Sequence, residues 1–151
     1  MQLERYEYEA RENFISYIFD SVGPRGTIRK VVNYQPIVDW KVNGRTVMNL
    51  HFGDWIEEEQ RIDDFAVSNN KDRDKVLATV ASTIHEFMQK RGQYPIHAVG
   101  ATPVKTRLYQ MGINAHRAEI ESHFLIFGYY KDEWIPFESG RNFEAFLVIK
   151  R

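Results

Sequence analysis

The sequence predicts a mixed α+β fold: an antiparallel meander, then helix–strand–helix, then closing strands. Three observations carry this. Up to about residue 67, short β-rich runs alternate with Gly, Pro and Asn turn signals. From Asp72 to Arg91 the spacing of apolar residues lengthens from strand to helix period. Beyond Gly92, short apolar runs flank one further helical stretch.

The elements follow in order. Tyr6 and Tyr8 alternate with charges and predict a short first strand. Phe14–Phe19 and Thr27–Tyr34 flank Gly23-Pro24-Arg25-Gly26, which predicts a hairpin. Pro36 ends the second arm or marks a sheet edge, because proline has no amide to give to a ladder. After a loop at Asn43-Gly44, Val47–Phe52 alternates as a strand, and Ile62, Phe65 and Val67 supply the next. Between them, residues 54–64 carry six carboxylates and only Arg61 in return, which reads as a solvated acidic turn.

The long helix buries Val76, Leu77, Val80, Ile84, Phe87 and Met88, with Asn70 or Asp72 capping its start and Gly92 ending it. Tyr94–Gly100 is a short strand. Thr102-Pro103 opens a second helix, with Val104, Leu108 and Met111 as the expected buried stripe and Gly112 as its end. Asn114 is expected to cap a short helix through about Glu121. Phe124–Tyr130, Trp134–Phe137 and Phe143–Ile149 close the chain as strands. A strand–helix–strand step in a largely antiparallel sheet implies one parallel pairing.

Composition narrows the function classes. The 151 residues match one domain, 1–151, and nothing rich in Pro, Gly or Ser divides them. There is no cysteine, which excludes disulfides, thiolate metal sites and a cysteine nucleophile. A net charge of −1 argues against nucleic acid as a partner. No basic-then-apolar leader and no run of ~20 apolar residues is visible, so the expected compartment is the cytoplasm, with no membrane partner. The five histidines lack metal-ligand spacing, and no metal is expected. His51 with Asp54 is an isolated pair. No Walker loop, dinucleotide fingerprint or nucleophile elbow is present.

Two constellations remain. Lys105 and Tyr109 share one helix face, with Thr106 beside Tyr109 and Thr102 at the helix start, making a polar stripe near strand ends. Asn69, Asn70 and Arg73 open the long helix, where a phosphate-bearing ligand would use Arg73, the helix amides and Arg107. Capping alone accounts for the asparagines and needs no ligand. Gly23-Pro24-Arg25-Gly26 reads as a turn rather than a phosphate loop, while Arg25, Arg29 and Lys30, with Tyr34 and Trp40 nearby, leave that hairpin a basic surface open to nucleic acid or an acidic partner.

From residue 61 to 151 the order of elements resembles the GNAT N-acetyltransferase fold. The quoted pieces are Phe65–Ser68, the loop Asn69–Asp74, the helix to Arg91, the strand Pro95–Val99, and Thr102–Ile113 with its Leu108-Tyr109 and Gly112-Ile113. The resemblance implies acetyl-CoA as cofactor, a pyrophosphate held at the loop, two strands that splay apart, and Tyr109 as general acid. Thr102 stands where that family usually has Asn. The departures are specific: the loop has no glycine, Asp72 and Asp74 sit in the first helical turn, and the spacing from Tyr109 to Gly112 is one residue short. The helices that form the acceptor site are absent or minimal. The resemblance therefore implies no conventional cofactor grip.

The whole chain also resembles a family of small uncharacterised bacterial proteins, mainly from Bacteroidota, through Ser68–Val80, Thr106–Tyr109 and Asn142–Val148. Three functions are compatible with these readings. One is a degenerate binding or regulatory domain that takes no cofactor. The second is an acyltransferase gripping acetyl-CoA through Arg73 and Lys105. The third is an interaction protein, a homodimer or a toxin–antitoxin-type component.

Overall fold

A computed structural model describes residues 4–66 and 68–151. The chain forms α+β structure, with a nine-stranded mixed sheet. Strands β1 (Glu9–Arg11), β2 (Ser16–Gly23), β3 (Gly26–Val42) and β4 (Arg45–Ile56) pair in succession as the expected antiparallel meander. Gly23 faces Gly26 across the first hairpin. Asn43 and Gly44 both have positive φ (53° and 77°), the geometry of a tight two-residue turn, so β3 and β4 run right up to it.

β3 does not stop at Pro36. The strand continues to Val42, and Pro36 still pairs with Met48 of β4. The missing amide is tolerated because β2 reaches only to Asn33, so Pro36 lies on an edge there. The register then shifts between Pro36 and Lys41, and the extra residues lay Trp40 against His97 and Trp134, with ring centroids 5.3 and 5.9 Å away.

β5 (Arg61–Asp63) folds back onto β4 after one 3-10 turn at Glu57–Glu59. The strand expected over Ile62, Phe65 and Val67 is thus shorter. Ile62 lies in β5, Phe65 is 67% exposed beyond it, and Val67 lies outside the described residues. Nor is the acidic stretch uniformly solvated: Glu57, Glu58 and Glu59 are exposed, while Asp54 is buried.

The remaining elements are α1 (Arg73–Arg91), β6 (Ile96–Ala98), α2 (Pro103–Ala115), α3 (Arg117–Glu121), β7 (Phe124–Tyr130), β8 (Glu133–Pro136) and β9 (Phe146–Lys150). The sheet order is β1-β2-β3-β4-β6-β9-β7-β8, with β5 on β4. The one parallel pairing joins β4 to β6 through Met48↔Ile96, Asn49↔His97 and Leu50↔Ala98. The parallel partner of β6 is therefore β4, which the chain leaves by turning back as β5.

α1 lies where its period predicts. Val76, Val80, Ile84, Phe87 and Met88 pack on Tyr17, Phe19, Val32, Tyr34, Leu50 and Phe52 of the sheet. Phe87 stacks on Tyr34 at 4.3 Å, and the Tyr34 hydroxyl pairs with Thr83 Oγ1 at 2.8 Å, so a buried polar tip is satisfied. Tyr6 and Tyr8 lie before β1 rather than on it. They strap α1 instead: the Tyr6 amide donates to Thr79 Oγ1 at 2.9 Å and the Tyr8 hydroxyl to Glu86 Oε1 at 3.1 Å. No helix among the described residues is long and apolar enough to cross a membrane.

Gly100 links β6 to α2 and fixes how close they come. A Cβ there would lie 2.4 Å from the Thr106 amide nitrogen and 2.7 Å from Lys105 Cβ. Gly100→Ala is expected to destabilise the fold by about 1–3 kcal/mol through overpacking. The check is a urea melt, and an unshifted midpoint would show that the contact has slack.

Candidate functional site

Thr102 caps α2 as expected, its hydroxyl accepting from the Lys105 amide at 3.2 Å, with Pro103 in the first helical turn. The helix is nevertheless rotated relative to its apolar pattern. Val104 and Met111 are exposed (62% and 39%), whereas Lys105, Thr106, Gln110 and Gly112 are buried. Each polar group on this inward face has a fixed partner. The Lys105 ammonium donates to the carbonyls of Phe52 (3.0 Å) and Asp64 (2.8 Å), and Thr106 Oγ1 accepts from the Gly100 amide at 2.9 Å. The Gln110 side chain donates to the Arg141 carbonyl and accepts from the Phe143 amide. Five satisfied polar contacts to backbone outweigh the burial of two more apolar side chains.

Gly112 does not end α2, which continues to Ala115. Its missing side chain admits Leu77 instead: an added Cβ would lie 2.3 Å from Leu77 Cδ1. Asn114 does not cap α3 either. His116 holds that position without a side-chain bond, and Asn114 accepts from the Ser139 hydroxyl.

Beyond Leu50↔Ala98, β4 and β6 part. β4 goes on to pair with β5, while β6 ends and turns toward α2. The Lys105 side chain enters the gap and takes the Phe52 carbonyl that a neighbouring strand would otherwise have bonded. In front of it lies a cleft of about 800 Å³ between the loop at 68–72, the start of α1, and β3–β4. Five cations and four carboxylates line it. On its floor Lys30 and Asp54, opposite one another on β3 and β4, pair at 2.5 Å, and Lys30 also donates to Ser68 Oγ at 2.7 Å. Lys30 and Lys105 are each only 5% exposed.

Burial lowers the Lys105 pKa from its ordinary value, and the nearby Asp54 charge partly offsets this. Tyr109 also lines the cleft, and no hydrogen bond to its hydroxyl occurs among the described residues. Desolvation raises its pKa well above the usual tyrosine value, with the charge of Asp64 adding to the effect, so it stays protonated.

The candidate residues therefore divide. Asn69, Asn70, Arg73, Lys105 and Tyr109 line the cleft. Of these, Asn70 already spends its side-chain amide on the β2–β3 hairpin, accepting from the Arg25 amide and donating to Ser21 Oγ and the Gly26 carbonyl. Arg73 pairs with Asp74 at 3.0 Å at the rim. Thr102 and Thr106 hold the start of α2. Arg107 is exposed and lines a separate recess with Gln110, Arg141 and Asn142. Asp72 occupies the N-cap of α1 but makes no capping bond with its side chain. Its carboxylate accepts from the hydroxyls of Tyr6 (2.6 Å) and Ser21 (2.5 Å).

Lys30 and Asp54 were not legible as site residues, though strand parity holds the signal: Lys30 shares the face of Val32 and Tyr34. His51 pairs with Asp64 at 2.9 Å rather than with Asp54. Among the described residues no group of three or more His, Asp or Glu is placed to hold a metal ion.

The chain belongs to a family of unknown function (DUF6934), whose model matches residues 2–151. No curated protein and no solved structure matches it.

Lys30→Met leaves Asp54 buried without its cation and is expected to cost about 3–5 kcal/mol. The double variant with Asp54→Leu should recover most of that loss. Equal urea midpoints for wild type and Lys30→Met would show that the pair is not desolvated.

Proposed function

We propose that this member of the family is an acetyltransferase-like domain that has lost the conventional grip on acetyl-CoA and binds a small ligand in the cleft over Lys30, Lys105 and Tyr109. The strand order supports the likeness: a meander, one parallel step through α1, and β9 inserted between β6 and β7. The observation that carries the loss is the Lys105 ammonium seated between β4 and β6 on the Phe52 and Asp64 carbonyls. A carrier arm entering between two parting strands needs those freed backbone groups, and a side chain of the protein already holds them. The loop at 69–74 adds to this. It contains no glycine to let backbone approach a pyrophosphate closely, and Asp74 stands in the first turn of α1.

A second reading, N-acyl transfer from acetyl-CoA with Tyr109 as general acid, draws on one observation. Tyr109 faces the cleft, stays protonated, and has no partner for its hydroxyl among the described residues. A homodimer or toxin–antitoxin role has no comparable support.

Titration calorimetry with CoA and acetyl-CoA is expected to show no binding in the micromolar range. A micromolar dissociation constant would defeat the degenerate reading. In that event Tyr109→Phe decides the second: loss of a general acid should cut turnover about 10²–10⁴-fold with binding retained. An unchanged rate would remove Tyr109 from the chemistry.

A further inference from the structure

Behind the cleft, between the three helices and the sheet, lies a second space of about 90 Å³. Its walls include Ala81, Ile84, Ile113, Phe124, Ile126 and Val148. Leu77, Tyr109 and His116 line both spaces, so the two meet at those three side chains. Only Tyr109 and His116 bring polar side chains to the inner one. A buried water needs two to four polar partners, so this volume holds water poorly and apolar matter well.

The outer space has the opposite chemistry. The Lys30 ammonium spends two of its three protons on Asp54 and Ser68, and Lys105 spends two on carbonyls. Each has one donor left, and the Tyr109 hydroxyl, without a partner among the described residues, lines the same cleft. Asp54 pairs with Lys30 on the floor, and Lys105 also feels the charges of Asp54, Asp64 and Asp63. At the junction, His116 Nε2 is buried with no hydrogen-bond partner. Spare donors on two buried ammoniums and on a hydroxyl, beside a dry apolar space, define a two-part site.

We infer that the cleft binds an amphipathic anion. A carboxylate or phosphate head is held by Lys30, Lys105 and Tyr109, and a short apolar tail passes Leu77 and His116 into the inner cavity. This rests on the reading of the cleft as a ligand site other than a CoA site, and it names the class of ligand. Arg73 and Lys75 at the rim and Asp74 beside them see the head only from outside.

The test is calorimetry on the full chain with acetate, butanoate, hexanoate and octanoate, the matched alkyl phosphates, inorganic phosphate, and hexanol. Affinity is expected to rise about fourfold per added methylene until the cavity is full, as burial of each group predicts. Whichever head series binds more tightly identifies the head. Ala81→Leu, which fills the cavity from α1, should flatten the dependence on chain length and leave phosphate or acetate binding unchanged.

Affinity independent of chain length would overturn the tail site, and hexanol binding as tightly as hexanoate would overturn the head site. No binding by any probe would overturn both parts. Should Ala81→Leu fail to fold, the wild-type series decides alone. CoA titrated into the same sample separates the two claims, because micromolar CoA binding defeats the underlying reading whatever the acids do.

Discussion

The Lys105 ammonium and its two backbone carbonyls organise this half of the molecule. An ammonium removed from water is costly unless acceptors meet it, so its position is set by Phe52 on β4 and by Asp64 just past β5. That requirement rotates α2 so that its polar side faces inward, and it holds apart the ends of β4 and β6. It also fixes the back wall of the cleft. The contact spans 53 residues of sequence to Phe52, joining the meander to the second helix across the parallel step.

That distance explains what the sequence conceals. α1 was legible because its buried face is mostly apolar, Thr79 and Thr83 aside, and the period of its apolar residues runs unbroken from Val76 to Met88. The start of α2 was legible because a threonine cap and a proline act locally. The rotation of α2 was not, since the partners of Lys105, Thr106 and Gln110 are main-chain groups brought in from other elements, and main-chain groups look alike at every position. Apolar spacing pointed to Val104 and Met111, and tertiary hydrogen bonding overrode it. The strand expected over Ile62, Phe65 and Val67 came out shorter for a related reason: Phe65 follows a hairpin arm, β5, that had already satisfied β4.

About half of the candidate site could be read in advance. Lys105, Tyr109, Asn69 and Arg73 were found by their types and by helix spacing. Asn70 and Thr106 were found for the same reasons, yet each has its hydrogen-bonding capacity taken up by architecture. Lys30 and Asp54 were masked by their company, one within a basic hairpin and the other at the head of an acidic run. Their pairing emerges only when the two strands are placed in register. Polar residue type therefore locates this cleft, but it does not separate groups that hold the fold from groups left free to hold something else.

Asn70 gives the cleft its mechanical character. Its side chain makes three bonds to the tip of the β2–β3 hairpin, and its carbonyl comes so near Gly23 that an added Cβ would lie 2.1 Å away. At about 0.5–1.5 kcal/mol for each bond, swinging the loop at 68–72 outward would forfeit all three at once. The rim is thus riveted to the hairpin rather than hung as a flap. Entry is governed by the width of a standing doorway, and a guest wider than that doorway must deform the outer edge of the sheet as well as the loop.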